Sequence, residues 1–338
     1  MKAWKLVGKN KFELVTRDLT EMDENKDVKI KMSKVMFSRD DCFLMNNPPE
    51  DKQLILGTAG IGVVSEVFDA STSRFSRMDR VIIEPYIACG TCRYCQENKQ
   101  SLCRNKQVLG VDMDGLMQDF ICLPHNCLYL IPDVVSTDDA VLTPLISLAL
   151  NVIDKINLDK GDHVAIFGGG ILGIVIAALA NYYQAMPILV DNDPTIIQTA
   201  LYKNIFYSFL PEKDDINAKI FTATGGRKCE KVVFLTESIT PIDVALDNCG
   251  IGGTVCLCGT HKKDITMPMQ YILEKNLTVN AVDNSYGNFL SALNILTKGV
   301  IKADDFIREE VNFADVDKTL PDITEEQTLR KNIVVKCE

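Results

Sequence analysis

The chain has 338 residues, of which 46% are hydrophobic and 24% charged, and it carries a formal net charge of −10 at pH 7. A chain of this length can form two domains with sizeable cores. Its acidic excess, with no basic stripe, argues against a nucleic-acid surface because phosphate groups would be repelled. Its N-terminus, MKAWKLVGKN, lacks the apolar segment of a secretory signal.

The cysteines indicate a reducing compartment. Twelve are present, four of them clustered at residues 89–103 and eight scattered, mostly in apolar stretches. Scattered apolar cysteines are typical of a reduced interior and not of a disulfide framework, so we expect a cytoplasmic protein. The longest apolar run, residues 164–180, contains three consecutive glycines, and a strand, a turn and a helix explain it better than a membrane span does.

The first 140 residues predict short strands separated by turns. VKIKMSKVMF, residues 28–37, alternates apolar and polar side chains with period two, as a half-buried strand does. Similar short segments follow at residues 62–69, 80–87, 120–124 and 127–132. This part of the chain is predicted to be a β-rich domain.

The pattern changes after about residue 140, where a helical stretch at 140–156 precedes short apolar strands that alternate with helices. The strands are predicted at residues 163–167, 187–190, 207–210, 231–235, 254–258 and 277–282. This order predicts a doubly wound parallel sheet, the α/β fold of dinucleotide-binding domains. We assign residues 145–285 to this Rossmann domain, and residues 1–144 and 286–338 to the β-rich domain, onto which the tail is predicted to return.

The first strand of the predicted Rossmann domain leads into a glycine loop. Gly168, Gly170 and Gly173 fit the G-x-G-x-x-G pattern between an apolar strand and an apolar helix. The helix N-terminus would present its N–H groups to a pyrophosphate. Asp191 ends the next strand, where it would accept hydrogen bonds from ribose hydroxyls and repel a 2′-phosphate, which favours NAD(H). The alternative is a glycine-rich turn that binds no nucleotide.

Other cofactor-binding candidates in the loop and at later strand ends are Ile171, Leu172, Thr236, Cys258 and Thr260.

The segment ACGTCRYCQENKQSLC, residues 88–103, predicts a metal site. Its cysteines have the spacing C-x2-C-x2-C-x7-C, and they are Cys89, Cys92, Cys95 and Cys103. A tetrahedral zinc held by four thiolates has no open position, so the lobe at residues 88–104 is predicted to hold one structural zinc per chain. An iron–sulfur cluster and four unmetallated thiols are the alternatives.

This combination resembles the zinc-containing alcohol and polyol dehydrogenases of the medium-chain dehydrogenase/reductase superfamily over nearly the whole chain. Residues 110–133, GVDMDGLMQDFICLPHNCLYLIPD, resemble the segment after the family's zinc lobe, and GGTVCLCG resembles its fifth Rossmann strand. The resemblance implies a GroES-like β-rich domain, a homodimer or homotetramer, a small-molecule substrate with no nucleic-acid or membrane partner, and hydride transfer between NAD(P) and a carbonyl or alcohol carbon. It also implies that Arg39 contacts the cofactor pyrophosphate, although a surface charge explains this residue equally well.

The chain departs from the family at the catalytic zinc. Ser38 stands where the family's first cysteine ligand is expected, Thr58 and Ala59 replace the histidine and glutamate of Gly-His-Glu, and Thr143 precedes Pro-Leu where Glu is common. Hydroxyl groups bind zinc poorly, so the resemblance implies a site rebuilt without this metal. A shifted ligand set that draws on Asp41, Cys42 or His261 remains an alternative.

The catalytic candidates are therefore pocket hydroxyls with an acid or base nearby. We expect Ser38, Thr58 and Thr143 to line the substrate pocket, and Asp41 or His261 to transfer a proton. Alcohol–ketone or polyol interconversion, zinc-independent reduction of an activated C=C bond, and a non-catalytic NAD(H)-binding sensor or scaffold all fit this set.

Overall fold

The computed structural model describes residues 1–18, 21–50, 52–71, 73–236, 238–259 and 265–337. Its contacts divide the chain into two compact units: unit 1 comprises Met1–Pro144 with Ile307–Glu338, and unit 2 comprises Leu145–Phe306. Two of the predicted site residues, Thr260 and His261, lie outside the described residues. Within the described ranges, no helix is both long and apolar enough to span a bilayer.

The strands follow the chain in this order: β1 (Lys2–Gly8), β2 (Lys11–Thr16), β3 (Val28–Met36), β4 (Leu54–Ile55), β5 (Ala59–Val67), β6 (Arg80–Ile83), β7 (Tyr86–Ile87), β8 (Gln107–Val108), β9 (Phe120–Leu123), β10 (Leu128–Leu130), β11 (His163–Phe167), β12 (Met186–Val190), β13 (Tyr207–Phe209), β14 (Cys229–Leu235), β15 (Cys249–Cys258), β16 (Thr278–Val282), β17 (Ile307–Asn312) and β18 (Lys331–Lys336).

The helices are α1 (Arg39–Asn46), α2 (Arg93–Gln96), α3 (Thr137–Ala140), α4 (Thr143–Ile156), α5 (Ile171–Tyr182), α6 (Pro194–Tyr202), α7 (Ile216–Ala223), α8 (Ile242–Asp247), α9 (Met269–Glu274), α10 (Phe289–Thr297), α11 (Val316–Thr319) and α12 (Glu325–Arg330). Short 3₁₀ turns occur at Gln100–Leu102, His125–Cys127, Ala303–Asp305, Phe313–Asp315 and Leu320–Asp322.

Unit 1 is built around a mostly antiparallel sheet in which β3 lies between β5 and β18, and of its described strands only β17 and β18 pair in parallel. The period-two pattern of β3 places Val28, Ile30 and Met32 in the core and turns Lys31 outward. Burying each such side chain contributes roughly 1.5–3 kcal/mol. The sheet order is β10-β6-β5-β3-β18-β17, with β9 also paired to β3. This arrangement brings the end of β3 beside the start of β5, where Met36 pairs with Ala59.

The C-terminal strands belong to unit 1, because β18 pairs with β3 and β17 pairs with β18. Residues 286–306 behave differently from our assignment to the β-rich domain, since their contacts group them with unit 2. Asn288 at the start of α10 donates to Asn151 Oδ1 at 2.8 Å and to Asp154 Oδ2 at 2.9 Å, both on α4. Polar contacts to α4 therefore hold this segment in unit 2.

Unit 2 is a doubly wound α/β unit. Among the described residues its six strands form one parallel sheet with the order β13-β12-β11-β14-β15-β16. The central strand β11 is buried along its whole length, as expected for a sheet covered on both faces. This order confirms the predicted Rossmann fold, and the order in which strands are added to the sheet changes sides between β11 and β14.

Candidate functional site

The lobe of unit 1 brings four thiols around one point. The Sγ–Sγ distances are 3.5 Å for Cys89–Cys103 and for Cys92–Cys95, 3.9 Å for Cys92–Cys103 and 4.0 Å for Cys89–Cys95. A tetrahedral zinc with Zn–S bonds of 2.3 Å separates its sulfurs by about 3.8 Å. The four sulfurs all lie within 4.8 Å of one another, so the group could hold one zinc ion.

The local backbone favours thiolate at one corner of this set. N–H groups of Thr91 and Cys92 point at the Cys89 sulfur and lower the pKa of that thiol to about 6. Burial raises the pKa of Cys95 to about 12, a penalty that a bound dication would remove because it deprotonates its thiol ligands. In the part of the chain that the structure describes, this is the only group of three or more His, Cys, Asp or Glu side chains close enough to hold a metal.

The glycine loop of unit 2 joins β11 to α5. Gly168, Gly169 and Gly170 have φ angles of +78°, +89° and +55°, which L side chains rarely adopt. A Cβ atom at Gly173 would lie 2.4 Å from the Gly168 carbonyl oxygen, so only glycine lets the helix approach the loop this closely. Helix α5 begins at Ile171 without a side-chain cap. Its first turn is therefore suited to an anionic group.

Asp191 follows β12 and is fixed against the glycine loop. Its Oδ2 accepts the Gly170 N–H at 3.2 Å, and its Oδ1 accepts the Asp193 N–H at 2.9 Å. Burial raises the pKa of this carboxyl. Because each carboxylate oxygen has two lone pairs, Asp191 retains acceptor capacity for two hydroxyl groups while it positions the loop.

A pocket of about 310 Å³ lies beyond the C-terminal ends of β12, β13 and β14. Sequence patterns did not identify its lining, although the general rule that ligands bind at the carboxyl edge of such a sheet points to this edge. The lining residues are Asn192, Pro211, Asp215, Ile216, Asn217, Ile239, Thr240, Pro241 and Val244. Asn192 directly follows Asp191, so the pocket continues from the acid at the end of β12.

The other cofactor candidates occupy different environments. Thr236 follows β14, and its N–H donates to the Cys258 carbonyl at 2.9 Å. Cys258 as a whole is fully buried, so it presents no surface to a ligand. In the first turn of α5, Ile171 is buried and Leu172 is half-buried.

In unit 1, the structure brings Ser38, Asp41 and Thr58 together. Ser38 caps α1, and its hydroxyl donates to Asp41 Oδ2 at 2.6 Å while accepting the Asp41 N–H at 3.2 Å. The Thr58 hydroxyl lies 3.4 Å from the Ser38 hydroxyl. Ser38 and Thr58 are half-buried. The cluster therefore presents hydroxyl groups at its outer side and a carboxylate at its inner side.

Asp41 has no exposed surface. Burial raises its pKa to about 6, although N–H and O–H donors from Ser38 and the N–H of Gly57 oppose the shift. The Gly57 N–H donates to Oδ1 at 2.8 Å and the Ser38 N–H donates to Oδ2 at 2.9 Å. A buried carboxyl with a pKa near neutrality can act as an acid or a base.

The remaining candidates of unit 1 lie apart from these contacts. The Arg39 guanidinium is 3.3 Å from the Glu325 carboxylate on α12. The buried Thr143 hydroxyl donates to the Ala140 carbonyl at 2.6 Å. The Cys42 thiol donates to the Ile323 carbonyl at 3.4 Å, and burial raises its pKa to about 11. Among the described residues, Cys42 belongs to no group of three or more His, Cys, Asp or Glu side chains close enough to hold a metal.

Comparison with known proteins identifies the family. The model of the alcohol dehydrogenase GroES-like domain matches residues 24–133. An uncharacterized zinc-type alcohol dehydrogenase-like protein from Haemophilus influenzae is 30% identical over 290 residues, which are 85% of each chain. Sorbitol dehydrogenase of Bacillus subtilis is 24% identical over 263 residues, 77% of this chain and 74% of the enzyme.

The fold is similar to solved structures over its full length. Alcohol dehydrogenase from Thermus sp. ATN1 superimposes with a TM-score of 0.89 at 19% identity, covering 99% of this chain and 100% of that one. The match to the GroES-like domain model, the match to the Haemophilus influenzae relative and the similarity to the solved structure are consistent with one another. The chain therefore belongs to the zinc-type alcohol and polyol dehydrogenase-like proteins of the medium-chain dehydrogenase/reductase superfamily, a family of oxidoreductases.

Proposed function

We propose that this chain is an NAD(H)-dependent oxidoreductase that interconverts a small alcohol or polyol with its ketone, holds one structural zinc and works without a catalytic zinc. The observation that carries this proposal is the contact between the Ser38 and Thr58 hydroxyls above the buried Asp41 carboxylate. Ser38 and Thr58 occupy two positions where the family resemblance implies zinc ligands. Neutral hydroxyls suit a substrate oxygen as hydrogen-bond partners, whereas zinc selects thiolate, imidazole and carboxylate.

The geometry of unit 2 supports a nicotinamide dinucleotide, and Asp191 favours NAD(H). The first turn of α5 would hold the pyrophosphate, and the Asp191 carboxylate would accept hydrogen bonds from the ribose hydroxyls. A 2′-phosphate would meet that charge and be repelled. The 310 Å³ pocket that begins at Asn192 is large enough for the adenine end. When bound, NAD(H) supplies a hydride acceptor or donor.

The four-cysteine site supports a structural role for the metal. Four thiolates saturate a tetrahedral zinc, so the ion has no position for water or substrate. Its contribution would be to fix the lobe that contains α2. We expect about one zinc per chain.

Two other reactions or roles share this geometry. Reduction of an activated C=C bond sends hydride to the β-carbon, and the carbonyl then needs only hydrogen-bond donors such as Ser38 and Thr58. A non-catalytic sensor would keep the glycine loop and Asp191 without turnover. The sorbitol dehydrogenase relative favours an alcohol or polyol substrate.

The test combines metal content with a substrate panel. Zinc per chain is measured by elemental analysis, and NADH absorbance is followed with polyols, ketones and enones. We expect about one zinc, turnover of an alcohol–ketone pair, and loss of turnover in Gly173→Ala, whose Cβ would meet the Gly168 carbonyl. Gly8→Ala is the matched control because a Cβ there meets no atom within 4 Å.

Each outcome separates the candidates. Turnover of enones without alcohols would favour C=C reduction, and NADH binding without any turnover would favour the sensor. About two zinc ions per chain would contradict the zinc-free reaction centre. Activity that survives Gly173→Ala would contradict nucleotide-dependent chemistry at this loop.

We also propose a homodimer or homotetramer. The edge strand β16 and its surroundings expose apolar side chains, among them Ile251, Leu273 and Val279, which are 88%, 74% and 37% exposed. Exposed apolar groups at a sheet edge favour self-association. Light scattering of the purified chain tests this expectation, and a monomer at micromolar concentration would contradict it.

A further inference from the structure

We propose that Thr58, Ser38 and Asp41 form a proton-transfer chain that binds the substrate oxygen at Thr58 and reverses its hydrogen-bond direction with the oxidation state of the substrate. This inference rests on the proposed function and assigns a role to each side chain in the cluster. Two contacts join the three side chains, one between Asp41 and Ser38 and one between Ser38 and Thr58, and each hydroxyl has a single proton to donate.

With Asp41 ionised, the direction of the chain is fixed. The Ser38 hydroxyl has one proton, and at 2.6 Å from Asp41 Oδ2 that proton points at the carboxylate. The proton between Ser38 and Thr58 must then come from Thr58, whose hydroxyl is 3.4 Å away. Thr58 therefore presents lone pairs outward. In this state it accepts a hydrogen bond from an alcohol.

With Asp41 protonated, the hydrogen bonds between the same heavy atoms run in the opposite direction. The carboxylic acid donates from Oδ2 to Ser38, Ser38 donates to Thr58, and the Thr58 proton points outward. In this state Thr58 donates to a carbonyl oxygen and polarises it for hydride attack. No group in the chain loses a partner in either state, so the switch requires only hydroxyl rotation.

The balanced reaction follows from this switch. As the alcohol carbon gives its hydride to NAD⁺, the alcohol proton moves to Thr58, the Thr58 proton moves to Ser38, and the Ser38 proton moves to Asp41. The products are the ketone, NADH and a neutral Asp41. Reduction runs the same transfers backwards. The 3.4 Å contact between Thr58 and Ser38 must shorten during this step, as catalytic hydrogen bonds commonly do when substrate binds.

The surroundings hold the carboxyl in place and keep it near its switching point. N–H groups of Ser38 and Gly57 fix the two oxygens. The neighbouring Asp40 charge raises the pKa of Asp41, in the same direction as burial. The Arg39 guanidinium lies 3.3 Å from the Glu325 carboxylate of α12. The Cys42 thiol, whose pKa is raised to about 11, stays neutral across the working range.

The test is the pH dependence of kcat/KM in both directions, with the substrate pair that the panel identifies. For the wild type, alcohol oxidation should rise with pH through about 6 and carbonyl reduction should fall. Thr58→Val should lower kcat/KM in both directions about 10²-fold. Thr58→Ser, which keeps the hydroxyl, should retain most of the wild-type value. Asp41→Asn should abolish the inflection.

Ser136→Ala is the matched control, because Ser136 caps α3 through the same kind of contacts with Asp139, at 2.7 and 3.0 Å. The pH profile of kcat/KM in this variant should be the same as in the wild type.

A second measurement uses only the wild type, in case a variant fails to fold. The ketone is tested as a dead-end inhibitor in the presence of NAD⁺, and its inhibition constant should rise about tenfold per pH unit above the inflection. An inhibition constant that does not change with pH would contradict the proton-transfer chain, and so would an inflection that persists in Asp41→Asn. Neither result would contradict the proposed oxidoreductase function. A wild type that binds NADH but turns over no alcohol or carbonyl overturns both.

Discussion

The Asp41 carboxylate accepts the Gly57 N–H at 2.8 Å, although 15 residues separate the two in the chain. Gly57 has a φ angle of +103°, and a Cβ atom there would lie 2.8 Å from Val35 Cγ1. The glycine therefore lets this segment pass close to the end of β3 and deliver its N–H to the acid. The same contact places Thr58, the next residue, beside Ser38.

Burial of Asp41 predicts a pH-dependent stability. The pKa is 3.8 for an ordinary aspartate and about 6 here, so the folded chain holds this proton more tightly than the unfolded chain. The resulting contribution is fully present below pH 3.8 and is lost as the pH rises through about 6. Asp41→Asn removes it. We expect the free energy of unfolding of the variant, relative to wild type, to improve by about 2 kcal/mol between about pH 4 and about pH 7.

Chemical denaturation of both proteins at the two pH values measures this difference. Asp139→Asn provides the comparison, since Asp139 makes the same contact with Ser136 at an exposed cap and the substitution there removes no buried charge. A constant difference between wild type and Asp41→Asn would mean that Asp41 titrates normally.

The zinc lobe predicts loss of metal and of thermal stability in Cys103→Ser. Cys103 lies 3.5 Å from the Cys89 sulfur, and removal of one thiolate leaves three ligands for an ion that prefers four. Zinc content should fall from about one per chain to near zero, with a lower Tm. Elemental analysis and calorimetry measure both. Cys256→Ala is the control: Cys256 is buried in β15 of unit 2, and its variant should retain zinc.

These local motifs could be predicted because their residues are close in the sequence. The four cysteines fall within 89–103, and the glycine loop together with Asp191 spans residues 168–191. Apolar periodicity was sufficient for the alternating strands and helices of unit 2. It could not assign α10, whose apolar face predicts burial but not a partner. The partner follows from Asn288 and its contacts with Asn151 and Asp154, about 130 residues earlier.

The contact between Ser38 and Thr58 depends on long-range strand pairing. Strands β3 and β5 pair with register shifts between Lys29 and Ile30 and between Met32 and Lys34. Each shift changes which side chains meet further along, and no local pattern predicts such irregularities. Family resemblance selected Ser38 and Thr58 as candidates, whereas the hydrogen-bond directions and the burial of Asp41 required the structure.

Asp191 predicts the choice between NADH and NADPH. Asp191→Ser removes an acceptor for ribose hydroxyls and the charge that opposes a 2′-phosphate, so NADH binding should weaken about tenfold or more while NADPH binding improves. Fluorescence titration with both cofactors gives the ratio. Asp305→Ser is the control, because the Asp305 carboxylate pairs with Lys203 at 2.7 Å and does not line the pocket. An unchanged ratio in Asp191→Ser would remove this residue from cofactor selection.

Resistance to a mild chelator is predicted if the reaction centre is made of hydroxyls and a carboxyl. Four thiolates whose sulfurs all lie within 4.8 Å of one another would hold zinc tightly, so a chelator of moderate affinity should leave that ion in place. A metal at the open, three-ligand position of a catalytic site exchanges more readily. The measurement follows NADH turnover and zinc content together during chelation, with a zinc-dependent alcohol dehydrogenase as the positive control. We expect full activity at one zinc per chain, and activity lost before that zinc is released would require a second metal in catalysis.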